Sequence, residues 1–384
     1  LAETTETNMV PDQGTTFSQR NQDNQASPLG VATTNLEQRV LASKGLLVGV
    51  KPNFKYHQAI ESGGVLCALP ALVSQGLLTH DQVYKPFTSG YYNQTSIVLT
   101  LAFMALCRIH NPEQLKQHRS GELGALLGLD RVPEVKCLRE KISLIVNQNK
   151  AKEWNNVLLE QWLKPQQEDF FFYVDGHVRV YHGQKANLPN KYVSRQKLCL
   201  NATTEYWVND PTGLPYMVVT GELTEKLEEV IKTSIIQQLM ENPTIKQRQQ
   251  DQCKVLFVLV FDREAYHPSF FNWLWVEYQV AVITYRKNVK DLWPESSFKT
   301  TDCKVIDNAV SMKLCESEIT LDGHKFREVR KLSDGGHQAA IISTHPTLSV
   351  HLIAGYMFSR WSQENFFRYL IQDYKILNKI YSTM

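Results

Sequence analysis

The run Lys254-Val-Leu-Phe-Val-Leu-Val-Phe-Asp262-Arg constrains the fold more than any other stretch. It is apolar without a break from Val255 to Phe261 and dominated by β-branched and aromatic residues. A strand with one wet face alternates apolar and polar residues. A strand that does not alternate is buried on both faces, inside a sheet. Such a sheet needs helices over it, and the chain offers them. Residues 223–240 read as an amphipathic helix, and His267-Pro-Ser-Phe-Phe-Asn-Trp-Leu-Trp starts another. Val280-Ala-Val-Ile-Thr-Tyr reads as a further short buried strand. The pattern predicts an α/β domain with a mixed sheet.

The rest of the second half fits that frame. Asp169-Phe-Phe-Phe-Tyr-Val-Asp175-Gly-His-Val-Arg-Val-Tyr-His-Gly reads as two strands with Asp175-Gly176 near the bend. Residues 199–208 and 214–220 form a hairpin around Pro211-Thr-Gly. Residues from about 299 to 345 alternate, with turn signals at Asp322-Gly and Asp334-Gly-Gly, and read as a β insertion. A helix follows over residues 356–370, aromatic and aliphatic nearly all round, which predicts burial. Arg360, Glu364 and Arg368 recur every four residues and so share one face of it.

The first half is different. Residues 1–33 are rich in Thr, Gln, Asn and Ser and read as a flexible arm. Residues 34–165 read as helical. Asn35 caps the first helix, residues 95–109 form a buried one, and Asn111-Pro112 restarts the chain. Residues 120–145 have helix-turn-helix outline, with Gly128 ending one helix and Pro133 opening the next. Arg131, Lys136, Arg139 and Lys141 mark the outer face of the second helix. DNA binding and a plain helical hairpin with a solvated basic face both fit this pattern.

Bulk properties narrow the class. Lys and Arg number 41 against 39 Asp and Glu, a net charge of +2, so any nucleic-acid surface must be local. Seven scattered cysteines without a CxxC argue for a reduced, cytoplasmic protein with no zinc knuckle. The longest apolar run, residues 97–107, falls short of the roughly 20 needed to cross a bilayer.

Three acids then stand out: Asp175 after an aromatic run, Asp262 at the end of the buried strand, and Glu364 on the late helix. Taken singly, each has a plain reading, as turn residue, cap and salt-bridge partner. Ligands of α/β sheets bind at the carboxyl ends of strands. Acids from two such ends and a covering helix would repel unless cations joined them. An oxygen-only set suits Mg²⁺ or Mn²⁺. Two such ions about 4 Å apart serve phosphodiester chemistry.

These residues resemble the DDE transposases of bacterial insertion sequences, most of all the IS4-type group with its β insertion between the second Asp and the Glu. Tyr-Val-Asp175-Gly-His resembles the first-strand motif. Val-Phe-Asp262-Arg-Glu-Ala-Tyr266 resembles the Asp-Arg-Gly-Tyr second motif. Tyr356, Arg360 and Glu364 resemble the Tyr-x2-Arg-x3-Glu-x6-Lys signature, with the Tyr one residue farther off and Ile371 in place of the Lys. Arg368 and Lys375 lie one turn to either side of that missing lysine.

The resemblance implies an RNase H-like catalytic domain over residues 166–384, after a helical DNA-binding region. It implies two Mg²⁺ ions, with Mn²⁺ as substitute, held by Asp175, Asp262 and Glu364. It also implies strand cleavage by water and 3′-OH transfer into target DNA. Arg360, Tyr356, Arg368 or Lys375 would contact double-stranded DNA, with Arg263 and Tyr266 in second rank. A homodimer on paired DNA ends, in the bacterial cytoplasm at the nucleoid, goes with it. Trp207 and Trp361 could stack on bases, although core packing suits both. A domesticated, non-catalytic DNA-binding protein and a metal-dependent DNA nuclease remain the alternatives.

Overall fold

A computed structural model describes residues 34–56, 60–163, 169–181, 188–193, 197–221, 225–306 and 308–374. The arm over residues 1–33 and Lys375 lie outside the described residues. The described chain forms two compact units: unit 1 takes the described residues up to Leu158 together with Asp373 and Tyr374, and unit 2 takes those from Leu159 to Gln372.

Unit 1 is built of short helices, among them α1 (Leu36–Ser43), α2 (Leu69–Ser74), α3 (Gln94–Leu106), α4 (Ser120–Ala125) and α5 (Val135–Val146), and α6 (Ala151–Trp162) follows α5 in the chain. Its core gathers Tyr92, Ile97, Phe103, Leu126 and Leu138. Asn93 caps α3, its Oδ1 accepting the Ser96 N–H at 2.8 Å. Asn111 likewise accepts from the Gln114 N–H, ahead of a 3₁₀ turn over Pro112–Gln117. Asn35 does not cap α1. Its backbone is left-handed, with φ of 52°, and its Nδ2 donates to the Tyr91 hydroxyl instead.

In unit 2 the apolar run folds as expected into a strand with no exposed residue. It is β5 (Phe257–Phe261), the fifth strand in chain order. Before it come β1 (Phe171–Val180), β2 (Asn190–Val193), β3 (Leu198–Asn209) and β4 (Pro215–Gly221). After it come β6 (Val280–Tyr285), β7 (Lys299–Val305), β8 (Asn308–Leu321), β9 (His324–Leu332) and β10 (Gln338–Ser343). They form one sheet in the order β2-β3-β1-β5-β6-β10-β9-β8-β7, with β4 also paired to β3. The middle of the sheet, β1-β5-β6, is parallel. Both flanks are antiparallel, so the strands of residues 299–343 extend the same sheet at one edge.

The sequence pattern predicts a bend at Asp175-Gly176, but β1 runs straight through both residues. Gly176 is opposite Tyr206 on β3, and a Cβ there would stand 3.0 Å from the Tyr206 ring. The glycine makes room for an aromatic neighbour; it is not a turn residue.

Successive residues of a strand face opposite sides. Phe172, Val174, Phe257, Leu259 and Phe261 pack against the helices on one face, α7 (Leu227–Val230), α8 (Ile236–Glu241) and α9 (Pro268–Tyr278). Phe171, Tyr173, Val258 and Val260 face the other side, under α10 (Val350–Ser359), where Ile353, Ala354 and Met357 cover them. The last helix, α11 (Trp361–Gln372), follows directly.

The expectation of one buried helix over residues 356–370 is corrected here. The helix breaks at Arg360, and its second part is half exposed, with Trp361 at 60% and Tyr369 at 53%. Ser359 contributes to the break: its hydroxyl donates to the Gly355 carbonyl and accepts from the Ile306 N–H.

Candidate active site

The parallel register of β1 and β5 ends at Val174↔Phe261. The next residues are Asp175 and Asp262, so the two acids continue adjacent strands at one level. By the two-residue period they share the face of Tyr173 and Val260, the face beneath α10. Both are oriented in the same way. Asp175 Oδ1 accepts the Gly176 N–H at 2.9 Å, and Asp262 Oδ1 accepts the Arg263 N–H at 2.7 Å. Each Oδ2 is left for other partners.

Those two oxygens meet a single guanidinium. Arg360, at the helix break, lies 3.9 Å from Asp175 Oδ2 and 3.8 Å from Asp262 Oδ2. It also donates to Glu364 Oε1 at 2.7 Å, one turn along in α11. Side-chain exposure is 15% for Arg360 but 47% for Asp262 and 44% for Glu364, so the guanidinium is covered while these two acids open to solvent. Burial raises the Asp175 carboxyl to about 6, against the opposing pull of Arg360 and the Gly176 N–H; Glu264 and Asp262 add to the rise.

The donor set is oxygen-only, and the cation it already surrounds shows that the three acids can share a positive charge. Oxygen-only donors are the kind that could hold a hard divalent ion. As placed around Arg360, no group of three or more His, Cys, Asp or Glu among the described residues is drawn tightly enough to grip a metal.

Gln363 was not legible as a site residue from sequence. It is fully buried beside the half-exposed Glu364. Its Nε2 lies 3.2 Å from the Tyr173 carbonyl, 3.1 Å from the Trp207 carbonyl and 2.7 Å from Asn209 Oδ1. This amide ties α11 to β1 and β3 and so fixes where Glu364 points. A polar residue at a helix position facing the core is the signal that could have found it. Ser362 adds a second tie, donating to the Pro211 carbonyl at 3.2 Å.

The other candidates are placed differently. Arg368, on the same face as Arg360 and Glu364 by spacing, lies with its guanidinium over the Tyr369 ring. Tyr356 stacks on Phe171 at 3.5 Å between centroids, four residues along β1 from Asp175. Arg263 lies over the Tyr285 ring, and Tyr266 packs edge-on to Phe271. Trp207 packs edge-on to Phe366 and Phe367, whereas Trp361 is exposed, which corrects the expectation of core packing for the latter. In unit 1 the predicted basic face is largely paired within the unit. Arg131 bridges to Glu134, Arg139 to Glu113, and Lys141 donates to the Ser89 carbonyl, while Lys136 is exposed.

Among solved structures, the chain is similar to a piggyBac transposase synaptic complex with hairpin DNA, at 9% identity over 86% of this chain and 72% of that one, with a TM-score of 0.38. It is also similar to the NurA nuclease from Sulfolobus solfataricus, at 10% identity over 59% of this chain and 84% of that one, with a TM-score of 0.21. No curated protein matches it. The family described as "Transposase protein" matches residues 30–382, nearly the whole chain, and the protein belongs to that transposase family.

Proposed function

We propose that this transposase is of the DDE type, with Asp175, Asp262 and Glu364 as the acids that hold two Mg²⁺ or Mn²⁺ ions, acting on double-stranded DNA. One observation carries the reading: acids from β1, from the end of β5 and from α11 converge on one guanidinium at an open rim. The strand order β4-β3-β1-β5-β6, antiparallel up to β1 and parallel from β1 to β6, supports an RNase H-like sheet. The four strands between Asp262 and Glu364 at one sheet edge, together with the Arg-x3-Glu spacing, support the IS4-type group.

Held by Asp175, Asp262 and Glu364, a divalent ion would supply Lewis acidity to a water or a 3′-hydroxyl and to the leaving oxygen. The chain's own work is placement. The backbone N–H groups of Gly176 and Arg263 fix the two aspartates, and Gln363 fixes the helix that carries Glu364. The exposed rim admits a phosphodiester, and Arg360 is the nearest fixed positive charge for it.

A cleavage assay with Mg²⁺ or Mn²⁺ on duplexes bearing the ends of the protein's own element tests this. Wild type nicks at the ends, and Asp262→Ala binds the duplex but cuts nothing. If wild type binds yet never cuts with either metal, the protein is a non-catalytic DNA binder and the proposal is wrong. Cutting without joining of pre-cleaved ends to a target would make it a nuclease.

A further inference from the structure

We propose that Arg360 is a built-in counter-cation: it holds Asp175, Asp262 and Glu364 together in the metal-free protein, and a divalent ion must displace it. The inference rests on the reading of those three acids as metal ligands.

The geometry is that of a shared ion, not a private salt bridge. A two-residue pair would bring one carboxylate close and leave the others outside. Here one guanidinium touches Glu364 at 2.7 Å and stays within 3.9 Å of both aspartates. The aspartates turn the same oxygen toward it, because Oδ1 of each is already committed to a backbone N–H. Arginine does not give up its proton in proteins, so its charge is permanent. The guanidinium is largely covered, so water does not fully replace the carboxylates as partners. Without it the three acids would repel across a short distance.

The backbone allows the side chain to leave. Arg360 is the residue between α10 and α11, outside both helices, and its own N–H makes only a long 3.4 Å bond to the Met357 carbonyl. The position of α11 is held elsewhere, by Gln363 and Ser362. Arg360 can therefore swing without carrying Glu364 with it. The destination with matching chemistry is a DNA phosphate at the open rim, which binds guanidinium in a fork. A phosphate that draws Arg360 away opens the site to metal, and metal that fills the site frees Arg360 for phosphate. Linkage makes the two effects equal.

The test is a calorimetric titration of Mn²⁺ alone into the full chain without DNA, for wild type, Arg360→Gln, Arg360→Lys and Asp262→Asn. Arg360→Gln is expected to bind Mn²⁺ at least tenfold more tightly than wild type, and Arg360→Lys to stay close to wild type. The metal-free Arg360→Gln protein should melt below wild type and recover when Mn²⁺ is added. Should Arg360→Gln fail to fold, Arg360→Met keeps the aliphatic stem without the charge and carries the same expectation. Equal or weaker Mn²⁺ binding by the uncharged variants overturns the proposal. If Asp262→Asn still abolishes Mn²⁺ binding in that case, the metal site stands and only the role of Arg360 falls. If no variant binds Mn²⁺, both readings fall.

Discussion

Asp175 and Asp262 occupy the same level of one register, each one residue beyond Val174↔Phe261, the last couple of the β1–β5 pair. Neighbouring strands lie about 4.8 Å apart. Two aspartates at one level and on one face are therefore forced into company, whatever else surrounds them. The price of that company is repulsion, and the Arg360 guanidinium set between them offsets it.

The Asp175 carboxyl carries a pH dependence of its own, caused chiefly by its burial. Burial raises it to about 6 in the folded protein, against about 3.9 in an unfolded chain. The folded state therefore holds the proton more tightly than the unfolded state. Stability is fully present below about pH 4 and falls as pH rises through 6, by on the order of 2 kcal/mol. Urea melts of the metal-free protein between pH 4 and 7 measure this. Asp175→Asn should flatten that part of the profile; an unchanged slope in the variant would assign the effect to another group.

Much of this site was legible in the sequence because strand burial leaves a direct trace. The non-alternating run before Asp262 could only be an interior strand, and the residue after it had to emerge at the carboxyl end of that strand. Asp175 stands out in the sequence, but its setting within a straight strand does not. Asp-Gly is turn chemistry locally, and only the Tyr206 ring on β3 explains a glycine within a straight strand. The break at Arg360 left no local mark either, since no Pro or Gly stands there; the Ser359 tie to Ile306, from a distant segment, accompanies it. The partners of Gln363 were not legible for the same reason. Its three acceptors lie more than a hundred residues away in sequence.

Gln363→Leu should destabilise unit 2 while keeping its volume. The change leaves Asn209 Oδ1 and two strand carbonyls without the amide, in a site that excludes water. Buried polar groups left unpaired cost about 1–3 kcal/mol each. Gln363→Glu should be worse than Leu at neutral pH, because a carboxylate would face three acceptors with nothing to donate, and acid should relieve it. Denaturant midpoints of both variants at pH 5 and pH 7 check the order. Equal losses with no pH effect would refute the placement of that amide.

Gly355→Ala tests the seat of α10. Alanine favours a helix over glycine by about 1 kcal/mol, so on an open helix the change would help. Here the added Cβ would stand 2.5 Å from the Lys304 carbonyl of β7, which is backbone and cannot rotate aside. The clash should win, with a net loss of about 1–3 kcal/mol. Guanidinium denaturation gives the number, and a gain in stability would show that α10 can lift from the sheet freely.

Trp361 and Trp207 should separate cleanly into a ligand contact and a packing residue. Trp361 is 60% exposed, adjoins Arg360 in sequence, and spends a large apolar ring on solvent. Trp207 instead packs edge-on against Phe366 and Phe367 of α11. If DNA enters at the acid rim, Trp361 is placed to stack on an unpaired base, a contact worth about 1–3 kcal/mol. Trp361→Ala should then weaken binding to a duplex with a single-stranded end by roughly tenfold, with an unchanged urea midpoint. Trp207→Ala should do the reverse, lowering stability by on the order of 2–3 kcal/mol through the cavity it leaves. Fluorescence-anisotropy titrations and urea melts on the two variants decide it. Unchanged DNA affinity in Trp361→Ala would remove that ring from the DNA path.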